Sequence, residues 1–414
     1  MSGSKISYNS KLLSSFGVRS GNWFFWAALI CATFYNSYRY PLQINFSGTS
    51  PTYSDTPFSF QVGKYILILV FAASSLVCFR IRLKLGLQSI FTICMIGFSA
   101  ACVVRGIISG EENFITVAFF PLAAMIISLG VRGLNFDGLM SFIRILFLVS
   151  LIVNAVQVVL FFSVGRLPAL AYDGSISVRF GSFLDDPNAF GAINFLFFGW
   201  IFSGKVRYRL ILIFALFVNV LITQSVTAIS CFICFLLWKV LIGKKAVRIF
   251  SVVLGVILMS VAALNVNVLE PLLVELIDVK SASAVQHVSF THVLDGLSLF
   301  NFIFGSDKEI FLESWWAYSV VNFGAIVTVM FLMAAIVLQI VLRSEFKNSR
   351  SATERAVLSS IFYFGLYFLV GGLNLPFPLI FPVNFIYFLL ASAVVCRRLK
   401  IKRYVFSARS YPIN

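Results

Sequence analysis

Charge is what this chain has least of, and histidine is its scarcest ionisable residue. Only 12% of the 414 residues are charged, and two are histidine. Hydrophobic residues make up 60% and mean hydropathy is +0.96. A soluble domain of this length has no use for so much apolar surface, so the composition excludes one and implies a polytopic membrane protein. Internal repeats, low-complexity blocks and soluble segments are also missing, and residues 1–414 read as a single integral membrane domain. Cysteine is absent from the polar loops. Cys31, Cys94, Cys102 and Cys234 fall inside apolar runs, and Cys78, Cys231 and Cys396 lie in them or at their ends, which excludes a disulfide framework. Cys231-Phe-Ile-Cys234 has CxxC spacing, but its apolar setting reads as small buried hydrophobes. The basic N-terminus (Lys5, Lys11, Arg19) is followed by no small-residue cleavage site, so the first apolar run reads as an uncleaved span.

What is present is a series of apolar runs: 22–39, 64–79, 86–104, 115–130, 139–163, 189–203, 210–222, 226–242, 249–266, 316–342, 357–372 and 378–396. These predict an all-α polytopic helical bundle of about twelve transmembrane helices. Three runs (64–79, 189–203, 210–222) fall short of the ~20 residues of a straight crossing, which leaves their ends soft.

Charge orients the bundle. Segments 1–21, 80–85, 131–138, 203–209, 243–248, 343–356 and 397–414 hold 23 of the 32 Lys and Arg, with only Asp137, Glu345 and Glu354 as acids. The alternation fits the positive-inside rule, placing both termini in the cytoplasm and loops 40–63, 164–188 and 267–315 outside. The net charge of +16 is then a membrane-surface feature, and no nucleic-acid partner is expected. Trp23, Trp26, Trp200, Trp238, Trp315 and Trp316 fall near span ends and read as interfacial anchors, and Arg144 as a snorkelling cation.

Two constellations in the outer loops carry candidate chemistry. Arg179-Phe-Gly-Ser-Phe-Leu-Asp-Asp-Pro-Asn-Ala-Phe-Gly191 is a charged turn leading straight into an apolar run. Arg179 offers a rigid fork of donors suited to phosphate, with Asp185, Asp186 and Asn188 beside it; Pro187-Asn188 fits a turn just before the span, whose helix start would add exposed backbone amides. The plainer alternative is an interfacial arginine capped by its neighbouring carboxylates. The second constellation is His287, His292 and Asp295 with Glu313, in a loop where residues 285–300 read as an amphipathic helix. Phe290, Val293, Leu294 and Leu297 gather on one face, His287, Thr291, His292 and Asp295 on the other; Val288 interrupts the polar face and Gly296 weakens the helix. A histidine near neutrality or a carboxylate can take a proton from a hydroxyl; a solvated surface helix is the alternative. Arg105 ends the third run beside Glu111 and Glu112, as part of an anion site or of a membrane-edge ion pair. Metal chemistry is not expected, because His-x4-His does not set both ligands on one side of a helix.

In this order the motifs resemble the O-antigen polymerase and ligase group of membrane glycosyltransferases. The likeness rests on Arg179 to Asn188, on Ile303-Phe304-Gly305 closing the long loop, and on Glu313 ahead of a run carrying Asn322-Phe323-Gly324. Where many members carry an arginine upstream of the Phe-Gly, this chain has His287, and Thr291 stands where a tryptophan is frequent. In place of a second phosphate-binding arginine, either His287 or His292 would supply the polar contact or the role would move to Arg105, Arg166 or Lys280. The resemblance implies a GT-C-like bundle whose long periplasmic loop carries the amphipathic helix. It also implies undecaprenyl-diphosphate-linked oligosaccharides as substrates and a metal-independent transfer with no cofactor. In that reading Arg179, Asp185, Asn188, Arg105 and Arg166 bind substrate, and His287, His292 or Glu313 acts as base. Partners would be the lipid bilayer, with a chain-length regulator and a flippase. A polymerase of O-antigen or a related surface polysaccharide, a ligase passing polymer to lipid A–core, and a lipid-linked oligosaccharide flippase or other transporter all remain open. No half-repeat of the transporter kind is evident.

Overall fold

The computed structural model describes residues 22–35, 58–77, 87–131, 133–164, 180–184, 186–242, 296–306, 309–310, 312, 314–349, 351–373 and 380–408. Every regular element among them is helical. In chain order these are α1 (Trp23–Phe34), α2 (Phe58–Val77), α3 (Leu87–Ser109), α4 (Glu112–Gly130), α5 (Phe136–Val164), α6 (Pro187–Ser203), α7 (Arg209–Ile222), α8 (Val226–Ile242), α9 (Leu299–Phe304), α10 (Trp315–Asn348), α11 (Ala352–Gly371) and α12 (Val383–Ala408). Each expected span except 249–266, which lies outside the described residues, has its helix.

The exposed faces identify the solvent. On α3, Phe91, Met95, Phe98 and Cys102 recur at helical spacing and are buried. Ile93, Ile96, Val104, Ile107 and Ile108 stand on the other side and are exposed. On α5, Leu139, Met140, Ile143, Leu146 and Phe147 are buried, while Ile145, Leu148, Ile152, Val156 and Val159 are exposed. A helix in water turns a polar face outward; these turn out Ile, Leu and Val, as a multi-pass membrane protein does. By length and composition, Ile90–Ser109, Glu112–Gly130, Phe136–Val159 and Trp315–Asn348 suffice to cross a membrane, and they lead a longer set of shorter apolar helices.

α6 is apolar all round and lies at the centre, its residues from Ala189 to Ile201 all buried. Enclosed by protein, it need not match the bilayer in length, which accounts for a shortness the sequence left unexplained. It packs most closely on α11. Gly199 lies against the backbone of Ser359 and Ser360, and the hydroxyls of Ser203 and Ser359 meet at 2.6 Å. Small residues let two helix backbones approach where no polar stripe drives their association.

α10 is too long for one straight crossing. Gly324, at φ 85° and ψ 163°, breaks it into a leading segment and the span proper, so the expected span 316–342 is two pieces. Thr328 Oγ1 donates to the Gly324 carbonyl at 2.9 Å and pairs with Ser319 Oγ at 2.8 Å, stapling the break. Of the amphipathic helix expected over 285–300, residues 285–295, Asp295 among them, lie outside the described residues, and the remainder does not form its end. Gly296 lies in a turn, Leu297 and Ser298 are non-helical, and Ser298 caps the separate helix α9 by accepting from the Asn301 amide.

Several anchors are packing groups instead. Trp26, Trp200 and Trp315 are buried, whereas Trp23 and Trp238 are exposed. Arg144 lies over the Trp200 ring, 5.8 Å from its centre. Of the CxxC pair, Cys231 is buried and Cys234 exposed, so only one of them is a core residue.

Candidate functional site

The ends of α6, α10 and α11 meet. Gly191 near the start of α6 faces Tyr367 near the end of α11, and the Trp315 amide at the start of α10 donates to the Gly372 carbonyl at 2.9 Å. α4 joins them, because Asn113 in its first turn bonds to Glu309 just ahead of α10. Glu111, Glu112, Asp186 and Glu309 therefore stand at one end of the bundle. Arg207, Arg209, Arg343, Lys347 and Arg355 stand near the other, where Ser203 meets Ser359. Both motif segments thus belong to the acidic end.

The segment ahead of α10 docks on the leading part of that helix through two glycines, one in each. Gly305 (φ 92°) and Gly324 (φ 85°) both adopt backbone angles that side-chain-bearing residues rarely reach. Their packing is reciprocal: a Cβ on Gly305 would strike the Asn322 carbonyl, and one on Gly324 would strike that of Ile303. The Ser306 amide closes the joint by donating to the Val321 carbonyl at 2.7 Å. Asn322 then grips the returning chain, its Oδ1 accepting from the Ile310 amide at 2.8 Å and its Nδ2 donating to the Ile310 carbonyl at 2.8 Å. A buried asparagine so used copies a strand pairing with its side chain, and every polar atom it brings inside is matched.

The clasp sets the position of Glu309. Tyr318 in the first turns of α10 donates its hydroxyl to Glu309 Oε1 at 2.6 Å. Asn113 Nδ2 donates to both carboxylate oxygens, at 2.9 and 3.1 Å. Tyr318 is wholly buried, Glu309 half-buried and Asn113 exposed, so the carboxylate bridges the interior and the surface. Nearby, Lys64 of α2 lies within 6 Å of three ring centres, those of Tyr65 (5.1 Å), Phe120 (5.8 Å) and Phe381 (5.8 Å). Tyr65 bonds to Thr116 of α4 at 3.0 Å.

The turn ahead of α6 is built differently. Arg179, Asp185 and Arg166 lie outside the described residues, as do His287, His292 and Glu313. What is described of the turn is buried: Phe180, Ser182, Phe183 and Leu184 are all enclosed. Residues 180–184 form a plug inserted between α5 and the end of α7, while Asp186 and Asn188 after them are half-buried. The Phe180 amide donates to the Ile222 carbonyl at 3.0 Å, and Gln157 Nε2 donates to the Ser182 carbonyl at 3.0 Å. Asn154, Asn219 and Ser150 continue the network at 2.9 Å each. Phe183 meets Phe34 and Phe190 in ring contacts of 5.5 and 5.8 Å.

The helix starts two residues ahead of the expected span at 189, with Asp186 as N-cap and Pro187, expected in the turn before it, in the first turn. The cap takes up an amide, because Asp186 Oδ1 accepts from the Asn188 N–H at 2.8 Å. The start of α6 therefore already carries a carboxylate on one of the amides the sequence offered to an anion. Arg105 and Asn188 are both half-buried at this end, and Arg105 closes the last turn of α3, its carbonyl accepting from Ser109 Oγ at 2.9 Å. Sequence reasoning singled out Glu313 and passed over Glu309. The available signal was its place in the charged stretch between the two Phe-Gly motifs.

No family model matches the chain, and no curated protein matches it.

Proposed function

We propose that this chain is a membrane glycosyltransferase that polymerises lipid-linked oligosaccharide repeat units into O-antigen or a related surface polysaccharide. In this reading it sits in the bacterial inner membrane with both termini in the cytoplasm, and the acidic end of the bundle faces the periplasm. The observation that supports it best is the clasp of Gly305 and Gly324. Two motifs chosen by resemblance, one ahead of α10 and one at the break within it, pack directly on each other.

The substrate is an undecaprenyl-diphosphate-linked oligosaccharide. The growing chain leaves its diphosphate as a hydroxyl of the next lipid-linked unit attacks the anomeric carbon. Charge develops on the departing diphosphate, and fixed cations aimed at it lower the barrier. Arg179 is the first such cation, with Arg105 or Arg166 as the second and Asp185 and Asn188 shaping the turn. A base from the loop before α10, for which His287, His292 and Glu313 are the sequence candidates, takes the acceptor proton. No cofactor enters this scheme.

The test is the surface polysaccharide of a deletion strain. A ladder collapsed to one repeat unit is the expected result. Polymer lost from lipid A–core but kept on its lipid carrier would make the protein a ligase, and lipid-linked units stranded on the cytoplasmic face would make it a flippase.

A further inference from the structure

We infer that Glu309 is the general base of the transfer, with Tyr318 and Asn113 as its positioning residues; the inference rests on the polymerase reading. Three observations lead to it. The carboxylate is held from two helices, by Tyr318 Oη at 2.6 Å from α10 and by Asn113 Nδ2 at 2.9 and 3.1 Å from α4. Its backbone is held as well, since the next residue, Ile310, is gripped at both its amide and its carbonyl by Asn322. Glu309 is nevertheless half-buried, while the tyrosine behind it is fully enclosed. A side chain fixed from behind and open in front is how a base is kept ready for an incoming hydroxyl.

The other described carboxylates at this end are less suited. Asp186 is spent on the Asn188 amide as the cap of α6. Glu111 and Glu112 sit where α4 begins, and neither is fixed by two partner helices in the way Glu309 is. Both Oε1 contacts come from the protein, whereas Oε2 takes Asn113 alone, which leaves lone pairs of that oxygen for a donor from outside.

The step balances simply. The acceptor hydroxyl gives its proton to Glu309 Oε2 as its oxygen forms a bond to the anomeric carbon. The bond from that carbon to the diphosphate oxygen breaks, and its electron pair leaves with the undecaprenyl diphosphate. The protonated Glu309 then returns its proton to water.

A purely structural role has to be separated from this one, because the buried Tyr318 hydroxyl needs an acceptor whatever the chemistry. Glu309→Gln does so: its carbonyl oxygen still accepts from Tyr318, but the amide cannot take a proton. Full-length protein is reconstituted in liposomes with the undecaprenyl-diphosphate-linked repeat unit isolated from the deletion strain, and elongation is timed. The expected loss in kcat for Glu309→Gln is about 10²–10⁴-fold with KM nearly unchanged. Added formate should restore turnover to Glu309→Ala in proportion to its concentration. Tyr318→Phe and Asn113→Ala should lower kcat by about ten- to a hundredfold, again with KM held. Wild-type kcat in Glu309→Gln, or no formate rescue of a folded Glu309→Ala protein, overturns the assignment while leaving the polymerase reading intact. Wild-type protein that elongates nothing overturns both.

Discussion

The chain enters α6 and α10 at the same end of the bundle, and it does so by opposite devices. Ahead of α6 the backbone dives inside, and side chains of Asn154, Gln157, Asn219 and Ser150 surround it with hydrogen bonds. Ahead of α10 buried residues (Gly305, Leu312) alternate with half-buried ones (Ser306, Glu309, Ile310), and two glycines let the backbone touch the helix it is about to join. The first arrangement buries its polar atoms and leaves nothing of residues 180–184 for a ligand to reach. The second spends its buried asparagine on locking the chain and presents a carboxylate outward. Burial supplies position in both cases; residues 180–184 have position without access, and Glu309 has both.

The contrast can be broken most violently at the glycines. Gly305→Ala or Gly324→Ala forces a side chain into a carbonyl at a backbone angle that suits glycine alone, a cost of several times the ~1–3 kcal/mol of a single strained residue. Either variant should vanish from the membrane fraction in an immunoblot. Next comes Arg179→Ala, expected to abolish polymer with the protein level unchanged; Arg179→Lys should be impaired too, since an ammonium lacks the planar fork. Full-length polymer in Arg179→Ala would remove the turn ahead of α6 from the chemistry. Asn322→Ala is a sharper probe of the clasp. It leaves the Ile310 amide and carbonyl unmatched, and thermal unfolding in detergent should show a loss of about 2–6 kcal/mol, since each of the two stranded groups costs ~1–3 kcal/mol. Ser182→Ala is the mildest, losing one bond of 3.3 Å to the Ser150 carbonyl, a change of about 1 kcal/mol with elongation unaltered.

Much of the fold was legible in the sequence, for a definite reason. Apolar runs bounded by charge locate helices, and α6, α7 and α8 begin and end within a residue or two of the runs 189–203, 210–222 and 226–242. Packing order was not legible. On α3 and α5 both faces are apolar, so periodicity cannot tell protein from lipid. The same blindness made anchors of Trp26, Trp200 and Trp315. The break at Gly324 was hidden because α10 remains apolar on both sides of it.

For the site, Gly305 and Gly324 were legible only as parts of motifs that resemble a family's, and the break ahead of α6 because a Pro-Asn pair carries backbone meaning on its own. Glu309 was not. Its significance lies in Asn113, 196 residues away in the chain, and in Tyr318, which looks in sequence like one more aromatic of a span. Nothing local separates it from Glu313, which stands nearer the run.

The contrast between the buried approach to α6 and the open approach to α10 comes down to one comparison of strains. Deletion cells carrying Glu309→Gln and cells carrying Ser182→Ala, matched for protein in the membrane, are compared by the length distribution of their surface polysaccharide. A single repeat unit is expected in the first and a full ladder in the second. A full ladder in Glu309→Gln would contradict the role given to the carboxylate, and so would a ladder lost in Ser182→Ala while Glu309→Gln keeps its own.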